Sequence, residues 1–318
     1  MTSALILIAG FVLLIKGALM LVDGASSIAR AARISDLAIG LTVVAFGTSL
    51  PELFVNITAS SAGNSAIAIS NITGSNIANI LLILGISAVI FPLEVTKGTV
   101  WKEIPFSLLA GVVLLVFADG LLAEKGAIST LSRSEGVVLL MFFVIFLYYT
   151  VGIAKQSTGL GGTQKTKKLK PAKAGVFITI GLLMLTGGGS MAVSGAVGIA
   201  KLLGLSESFV GLTIVAVGTS LPELSTSVVA AFKKNPEIAV GNVVGSNIFN
   251  IFFVLGVSAL IREHPIQAEL QSSLVMTVLS SGLLFVFMFT GKRKVIDRWE
   301  GVLMILMYAA YLSFAGGS

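Results

Sequence analysis

The chain carries the sequence GLTVVAFGTSLPEL at residues 40–53 and a nearly identical sequence, GLTIVAVGTSLPEL, at residues 211–224. Each copy places a proline and an ionisable glutamate inside an otherwise apolar stretch of the chain. Both residue types are costly inside an apolar helix, and a carboxylate in such a place is normally tied to function. The two copies are therefore the first candidates for a functional site.

The duplication extends beyond these two segments. The shift of 171 residues that superimposes them also superimposes IAISNITGSNIANILLILG at 67–85 on IAVGNVVGSNIFNIFFVLG at 238–256. A single shift that serves both pairs of segments indicates an internal repeat. The first repeated motif therefore covers residues 40–85, and the second covers residues 211–256.

The composition is typical of a protein that crosses a membrane several times. Of the 318 residues, 55% are hydrophobic and only 11% are charged, which excludes an ordinary soluble domain. Apolar runs of about 18 to 22 residues, the length of a membrane-spanning helix, recur along nearly the whole chain. The chain has no cysteine, so a disulfide framework, a thiolate metal site and a cysteine nucleophile are all excluded.

The hydropathy pattern predicts an all-α polytopic membrane protein with ten transmembrane helices. The predicted spans are 2–22, 37–60, 66–91, 104–121, 135–153, 174–195, 208–231, 237–261, 270–290 and 299–316. One long polar connection, AKQSTGLGGTQKTKKLKPAK at 154–173, separates a first five-helix repeat at 1–153 from a second at 174–318.

The loop charges predict the orientation in the membrane. One set of alternate loops carries 16 lysines and arginines, whereas the other set carries 4. Because positive charge is retained on the cytoplasmic side, we expect both termini to be extracellular and the loop 154–173 to be cytoplasmic. The same bias accounts for the net charge of +6 without any nucleic-acid partner.

An odd number of spans in each half inverts the second half relative to the first. Two inverted five-helix repeats are the plan of many secondary transporters, whose substrate site lies near the membrane midplane where the repeats face each other. The two copies of the motif are therefore expected to meet from opposite sides of the membrane.

The prolines of the motif predict irregular backbone at membrane depth. Pro51 and Pro222 lack an amide donor and clash with the preceding helical turn, so we expect kinks near Gly47 and Gly218. Unwound backbone at this depth is tolerated where it lines a polar cavity, and its free carbonyl groups are natural ligands for cations.

The polar side chains of the repeated segments offer only oxygen donors. Hydroxyl groups lie three and four residues before each glutamate, and a serine and an asparagine four residues apart lie on each following helix. These residues are Thr48, Ser49, Glu52, Ser75 and Asn79 in the first half, and Thr219, Ser220, Glu223, Ser246 and Asn250 in the second. Such a set favours hard cations, and two carboxylates match the charge of Ca²⁺; Na⁺ has a similar size.

The paired GTSLPE and GSNIxN segments resemble the two α-repeats of the Ca²⁺/cation antiporter superfamily, and most closely its prokaryotic sodium/calcium exchangers. The resemblance implies ten helices, of which the second, third, seventh and eighth enclose the ions while the first and sixth cross in front. It also implies that the ten side chains above are ion ligands, together with the carbonyl groups of Ala45 and Ala216.

The resemblance implies a Na⁺/Ca²⁺ antiporter of the cell membrane, not an enzyme, that exports Ca²⁺ by alternating access. Because two carboxylates hold one Ca²⁺ at net zero charge and three Na⁺ at net +1, we expect electrogenic 3Na⁺:1Ca²⁺ exchange. We expect the chain to act as a monomer in the lipid bilayer and to need no cofactor. The alternatives are Ca²⁺/H⁺ or K⁺-dependent exchange on the same fold, although amides at both Asn79 and Asn250 disfavour K⁺ coupling. An intramembrane hydrolase and a channel are weaker alternatives, because His and Cys ligands are missing from the motifs and because the repeats are inverted.

Three other polar residues are given minor roles by the sequence. Lys16 and Asp23, in the first predicted span, are expected to snorkel to the interface or to cap a helix. His264, the only histidine, is expected to lie in an external loop without a functional role. The glycine-rich sequence TGGGS at 186–190 predicts a close-packed helix surface.

Overall fold

The computed structural model describes residues 2–118, 129–154, 169–203, 216–267 and 270–315, and most of these residues are helical. The helices are α1 (Thr2–Ala32), α2 (Asp36–Thr48), α3 (Leu50–Ala62), α4 (Ser65–Ile90), α5 (Thr99–Ala118), α6 (Arg133–Ala154), α7 (Pro171–Leu202), α8 (Ala216–Gly218), α9 (Leu221–Phe232), α10 (Pro236–Ile261), α11 (Gln271–Phe287) and α12 (Arg298–Ala315). Within the described part of the chain, six helices are long and apolar enough to cross a membrane, or up to seven if α2 and α3 form one span.

The helix bounds differ most from the predicted spans at α1 and α7. Hydropathy predicts 2–22 and 174–195, whereas these helices contain 31 and 32 residues. The added turns contain glycine, serine and charged residues, which lower the hydropathy of the run but which a helix accommodates. Helix α7 therefore begins at Pro171, three residues before the predicted span. Part of the seventh predicted span, residues 208–215, lies outside the described residues.

Helices α1 and α7 pack against each other through glycines spaced seven residues apart. On α1, a Cβ atom added at Gly10 or Gly17 would lie 2.5 or 2.8 Å from the backbone of α7. On α7, a Cβ atom added at Gly188 or Gly195 would lie 2.9 or 2.5 Å from the backbone of α1. Only glycine permits this approach, because any side chain would push the two backbones apart.

The chain breaks between α2 and α3 at Ser49, where the two helices meet at an angle of 45°. Ser49 has φ −86° and ψ 9°, which ends α2, and Pro51 then lies in the first turn of α3. A proline is tolerated in this turn because its missing N–H would have no partner there. Ser220 has nearly the same backbone angles and precedes α9, whose first turn contains Pro222. The predicted interruptions of the helices therefore exist, and they fall at the serines, two residues after Gly47 and Gly218.

Helices α4 and α10 are the most buried of the membrane-length helices. Each begins with an asparagine cap, in which Asn64 accepts a hydrogen bond from Ile67 and Asn235 accepts one from Ile238. Each then widens into a π-helical turn near its middle, at Asn79–Leu84 in α4 and at Phe249–Leu255 in α10. Turns of this kind are often found at functional sites.

Among the residues that the structure describes, four short strands form two antiparallel pairs that the sequence analysis does not predict. They are β1 (Leu93–Glu94), β2 (Thr130–Leu131), β3 (His264–Pro265) and β4 (Val295–Ile296). Strand β1 pairs with β4, and β2 pairs with β3. Each pair therefore joins a loop of the first half to a loop of the second half.

Candidate ion-binding site

Two buried glutamates lie at the centre of the candidate site. Glu52 and Glu223 occupy the first turns of α3 and α9, and neither is exposed to solvent. The hydroxyl of Ser49 donates a hydrogen bond of 2.8 Å to Glu223 Oε1, and that of Ser220 donates one of 3.3 Å to Glu52 Oε1. The serine at the helix break of each half therefore binds the carboxylate of the other half.

Each carboxylate also accepts a hydrogen bond from its own half of the chain. Ser75 on α4 donates to Glu52 Oε1 at 3.3 Å, and Ser246 on α10 donates to Glu223 Oε1 at 3.4 Å. The Ser246 hydroxyl also approaches the carbonyl oxygen of Ala45 at 3.5 Å. These bonds hold one oxygen of each carboxylate against the neighbouring helices.

The threonines of the motif bind asparagines on the opposite half. The Thr48 hydroxyl donates to Asn242 Oδ1 at 3.0 Å, and the Thr219 hydroxyl donates to Asn71 Oδ1 at 3.4 Å. Asn71 and Asn242 in turn donate to the backbone carbonyls of Glu52 and Glu223, at 3.4 and 3.3 Å. These paired contacts are related by the same shift of 171 residues that relates the two motifs.

Four oxygen atoms at the site have no hydrogen-bond donor among the described residues. Each is the oxygen of a buried carboxylate or amide, and the four atoms are Glu52 Oε2, Glu223 Oε2, Asn79 Oδ1 and Asn250 Oδ1. A buried oxygen without a donor costs free energy unless another partner, such as a cation, satisfies it. The four atoms have the hard-ligand character that Ca²⁺ and Na⁺ prefer.

The amide nitrogens of Asn79 and Asn250 are bound to two further asparagines. Asn79 Nδ2 donates to Asn247 Oδ1 at 2.9 Å, and Asn250 Nδ2 donates to Asn76 Oδ1 at 3.0 Å. Both ligand candidates lie at the start of the π-helical turns or within them. All four asparagines are at most 1% exposed.

The structure connects all of the predicted site residues except Ala216 to these buried sets of hydrogen bonds. Ala216 opens α8 at the position that corresponds to Ala45, and only its backbone is described. In the described part of the chain, no three His, Cys, Asp or Glu residues are grouped so that they could hold a metal ion by themselves. The site is therefore built from hydroxyl, amide, carbonyl and two carboxylate oxygens.

Sequence reasoning missed four asparagines of the site, Asn71, Asn76, Asn242 and Asn247. The signal was present, because each of these asparagines is identical in the two copies under the shift of 171 residues. Their hydrogen bonds are to other ligand candidates and to backbone carbonyls. A search for hydroxyl and acidic residues at helical spacing from the glutamates does not find such bonds.

His264 has contacts that the sequence analysis does not predict. This residue is not exposed; its Nε2 lies 3.2 Å from the Ser60 hydroxyl and its Nδ1 lies 3.1 Å from the Ser65 hydroxyl. The pairing of β2 with β3 folds the loop onto the turn between α3 and α4. His264 corresponds, under the shift of 171 residues, to the buried Leu93 of β1.

The expectation for Asp23 is also incomplete. Its carboxylate forms an ion pair of 2.5 Å with Lys233, the residue that follows α9, and this contact is not predicted by the sequence analysis. Lys16 is exposed on α1.

The fold and the site together define the class of this protein as a membrane ion transporter. Its membrane-length helices surround a buried site that is built from oxygen atoms. Comparison with known proteins identifies the family. The family described as "Sodium/calcium exchanger protein" matches residues 2–152 and 173–317, and the chain belongs to it. The resemblance inferred from the motifs is therefore confirmed.

Three similar proteins illustrate the relationship. The putative antiporter CaxA of Alkalimonas amylolytica is 38% identical over 319 residues, which cover 98% of each chain. The sodium/calcium exchanger MaX1 of Methanosarcina acetivorans is 34% identical, with 97% of each chain covered. The solved structure of the sodium-calcium exchanger NCX_Mj, soaked with Na⁺ and Ca²⁺, matches with a TM-score of 0.83 and 35% identity over 98% of each chain.

Proposed function

We propose that this protein is a secondary active Na⁺/Ca²⁺ antiporter whose ions bind between Glu52 and Glu223. The observation that carries the proposal is the pair of fully buried carboxylates, each with one oxygen bound by both halves and one oxygen without a protein donor. Two such charges in a membrane are costly without cations. The sodium/calcium exchangers among the similar proteins support the same activity.

The proposed architecture is ten transmembrane helices in two inverted five-helix repeats. Its support is three pairs of hydrogen bonds at the site, in which the two bonds of each pair are related by the shift of 171 residues. The family matches two segments separated by residues 153–172, close to the predicted linker. The repeats would then be residues 1–153 and 174–318, adjusted for the start of α7 at Pro171.

The proposed orientation places both termini outside and the central loop in the cytoplasm. The pairing of the loops agrees with it, because both loops that carry β1 and β4 are predicted to be cytoplasmic and both that carry β2 and β3 are predicted to be extracellular. We propose that a single chain suffices for transport, since the residues of the site all come from one chain.

The four unpartnered oxygens and the surrounding hydroxyls and carbonyls suit both cargoes. Ca²⁺ accepts many oxygens in flexible geometry at about 2.3 to 2.6 Å, and Mg²⁺ demands a stricter octahedron. Two carboxylates neutralise one Ca²⁺, so a single charged site can alternate between Ca²⁺ and several Na⁺ ions. The twelve ligands in the proposal are Ala45, Thr48, Ser49, Glu52, Ser75, Asn79, Ala216, Thr219, Ser220, Glu223, Ser246 and Asn250.

The proposed stoichiometry is 3Na⁺:1Ca²⁺. Two carboxylates hold one Ca²⁺ at net zero charge and three Na⁺ at net +1, so one charge crosses the membrane in each cycle. Three Na⁺ that descend a tenfold gradient release about 4.2 kcal/mol, and one charge crossing 100 mV adds about 2.3 kcal/mol. This total supports a Ca²⁺ gradient above about ten-thousandfold, whereas neutral 2:1 exchange supports only about a hundredfold. Export of Ca²⁺ from the cytoplasm therefore favours the 3:1 scheme.

The experiment for this scheme measures voltage dependence. Proteoliposomes loaded with Na⁺ take up ⁴⁵Ca²⁺ while external K⁺ and valinomycin clamp the membrane potential. In 3:1 exchange, net positive charge leaves the vesicle with each Ca²⁺ that enters, so we expect a positive-inside potential to accelerate Ca²⁺ uptake. The same potential would slow an uncoupled leak of Ca²⁺ into the vesicle. Sodium-driven uptake that is insensitive to voltage would rule out the 3:1 scheme, and uptake driven by a proton gradient without Na⁺ would favour Ca²⁺/H⁺ exchange.

A further inference from the structure

Four buried asparagines form a closed set of hydrogen bonds between α4 and α10. Asn76 Nδ2 donates to the backbone carbonyl of Asn247, and Asn247 Nδ2 donates to the backbone carbonyl of Asn76, both at 3.2 Å. The Oδ1 atom of Asn247 accepts from Asn79, and that of Asn76 accepts from Asn250. Both of these bonds join one half of the chain to the other.

We propose that Asn76 and Asn247 are positioning residues for ion binding, because each turns the amide oxygen of a ligand in the other half toward the cations. This inference rests on the proposed function, in which Asn79 and Asn250 are ligands. Asn76 and Asn247 do not themselves coordinate the ion; they act through Asn250 and Asn79.

The physical basis is that the two ends of a side-chain amide have nearly the same shape but opposite polarity. When Asn79 Nδ2 donates to Asn247 Oδ1, Asn79 Oδ1 must point the other way, and this oxygen has no donor among the described residues. A flipped Asn79 amide would place two acceptor oxygens together and would direct N–H groups at the cation. Both contacts are repulsive, so the bond to Asn247 selects the orientation that binds an ion.

The orientation of Asn76 and Asn247 is in turn determined by the backbone. A backbone carbonyl can only accept a hydrogen bond, so the side-chain group that faces it must be the Nδ2. The Oδ1 of each asparagine is then available only on its other side, where Asn250 or Asn79 donates to it. The direction of each ligand amide is therefore transmitted from a backbone carbonyl group that cannot flip.

The test is a double-mutant cycle on Ca²⁺ binding. The dissociation constant for Ca²⁺ is measured by calorimetry on the full-length purified chain without Na⁺. Asn247→Leu is expected to weaken Ca²⁺ binding about tenfold, the effect of one lost hydrogen bond. In the Asn79→Asp variant, the two carboxylate oxygens are equivalent, so no hydrogen bond is needed to select which one faces the ion. Asn247 Oδ1 would then lie against one of these oxygens and repel it. Asn247→Leu is therefore expected to have no harmful effect, or to tighten binding, in the Asn79→Asp background.

A matched control uses the other positioning residue. Asn76→Leu is expected to weaken Ca²⁺ binding in both the wild-type and Asn79→Asp backgrounds, because Asn76 orients Asn250. The corresponding pair in the other half is Asn76→Leu with Asn250→Asp. Asn76→Leu is expected to have no harmful effect on Ca²⁺ binding in the Asn250→Asp background, and we call this loss of effect the rescue. If Asn247→Leu does not give a monodisperse protein, Asn247→Ser supplies the comparison, since serine is too short to reach Asn79.

The outcomes separate this inference from the proposed function. An equal loss of affinity caused by Asn247→Leu in the two backgrounds, or no loss in the wild type, would overturn the positioning role. Sodium-driven ⁴⁵Ca²⁺ flux of the wild-type chain is measured in parallel. A chain that binds Ca²⁺ and shows the rescue but does not exchange it for Na⁺ would overturn the proposed antiport and leave the positioning role intact. A wild-type chain that does not bind Ca²⁺ would overturn both.

Discussion

Replacing Gly188 on α7 with alanine is expected to weaken the contact between α1 and α7, whereas replacing the adjacent Gly187 is not. A Cβ atom at Gly188 would lie 2.9 Å from the carbonyl oxygen of Gly10 and 2.9 Å from the backbone nitrogen of Leu14. A Cβ atom at Gly187 would have no heavy atom within 4 Å. The two variants therefore make the same chemical change on the same helix and differ only in what the added methyl group meets.

The expected magnitude follows from two opposing effects. Alanine favours the helix over glycine by about 1 kcal/mol at both positions. Inserting a methyl group against a backbone that cannot move costs about 1 to 3 kcal/mol, and this cost applies only at Gly188. Gly187→Ala should therefore be neutral or stabilising by up to about 1 kcal/mol, and Gly188→Ala should be less stable than Gly187→Ala by about 1 to 3 kcal/mol.

The assay is thermal unfolding of the two purified variants in the same detergent, followed by intrinsic tryptophan fluorescence. We expect Gly188→Ala to unfold several degrees below Gly187→Ala. Equal unfolding temperatures would show that α1 and α7 can separate at little cost, and would refute the assignment of Gly188 to a close backbone contact.

Three further predictions concern charged and titratable groups. Neutralising Asp23 or Lys233 singly should lower stability by about 1 kcal/mol, and the double neutralisation should cost less than the sum of the two, as a double-mutant cycle of unfolding temperatures would show. Burial lowers the pKa of the His264 imidazole from its usual 6.5, so the unfolded chain binds a proton more readily than the folded chain does. The unfolding temperature should therefore fall as the pH is lowered below about 6.5. The His264→Leu variant should lose this pH dependence. Glu52→Gln and Glu223→Gln should each abolish sodium-driven Ca²⁺ flux while the protein remains folded, which flux and size-exclusion measurements check together.

The site helices could be predicted from the sequence because the repeated motif carries its own physical signature. A proline and a glutamate in an apolar run, followed by hydroxyl and amide residues at helical spacing, locate the residues around Glu52 and Glu223. The identical shift for both segments adds the second half of the site. Hydropathy also locates most of the membrane-length helices, since apolar length is a strong signal.

The contacts between the two halves could not be predicted in the same way. The break falls at Ser49 because α3 begins with Pro51 in its first turn. The steric clash of a proline with the preceding turn predicts an interruption but does not determine at which residue it falls. The bonds between Asn76 and Asn247 depend on how α4 and α10 cross, and residue spacing within one helix contains no such information. The buried position of His264 results from the pairing of two strands that are only two residues long, too short to give a periodic signal.

The extra turns of α1 and α7 have a related cause. Hydropathy scores the transfer of side chains into lipid, but these turns are stabilised by contact with another helix. Gly24 shows this directly, since a Cβ atom there would lie 2.8 Å from the carbonyl oxygen of Ala174. The seven-residue spacing of glycines in both helices predicts this packing better than hydropathy does.

The most direct test of the central claim is ⁴⁵Ca²⁺ uptake by proteoliposomes that contain the purified chain and are loaded with Na⁺. The account predicts rapid uptake from a Na⁺-free medium, no uptake when K⁺ or choline replaces internal Na⁺, and no uptake by Glu52→Gln or Glu223→Gln vesicles with the same protein content. Ca²⁺ uptake that is equally fast without internal Na⁺, or that survives either substitution, would contradict the account.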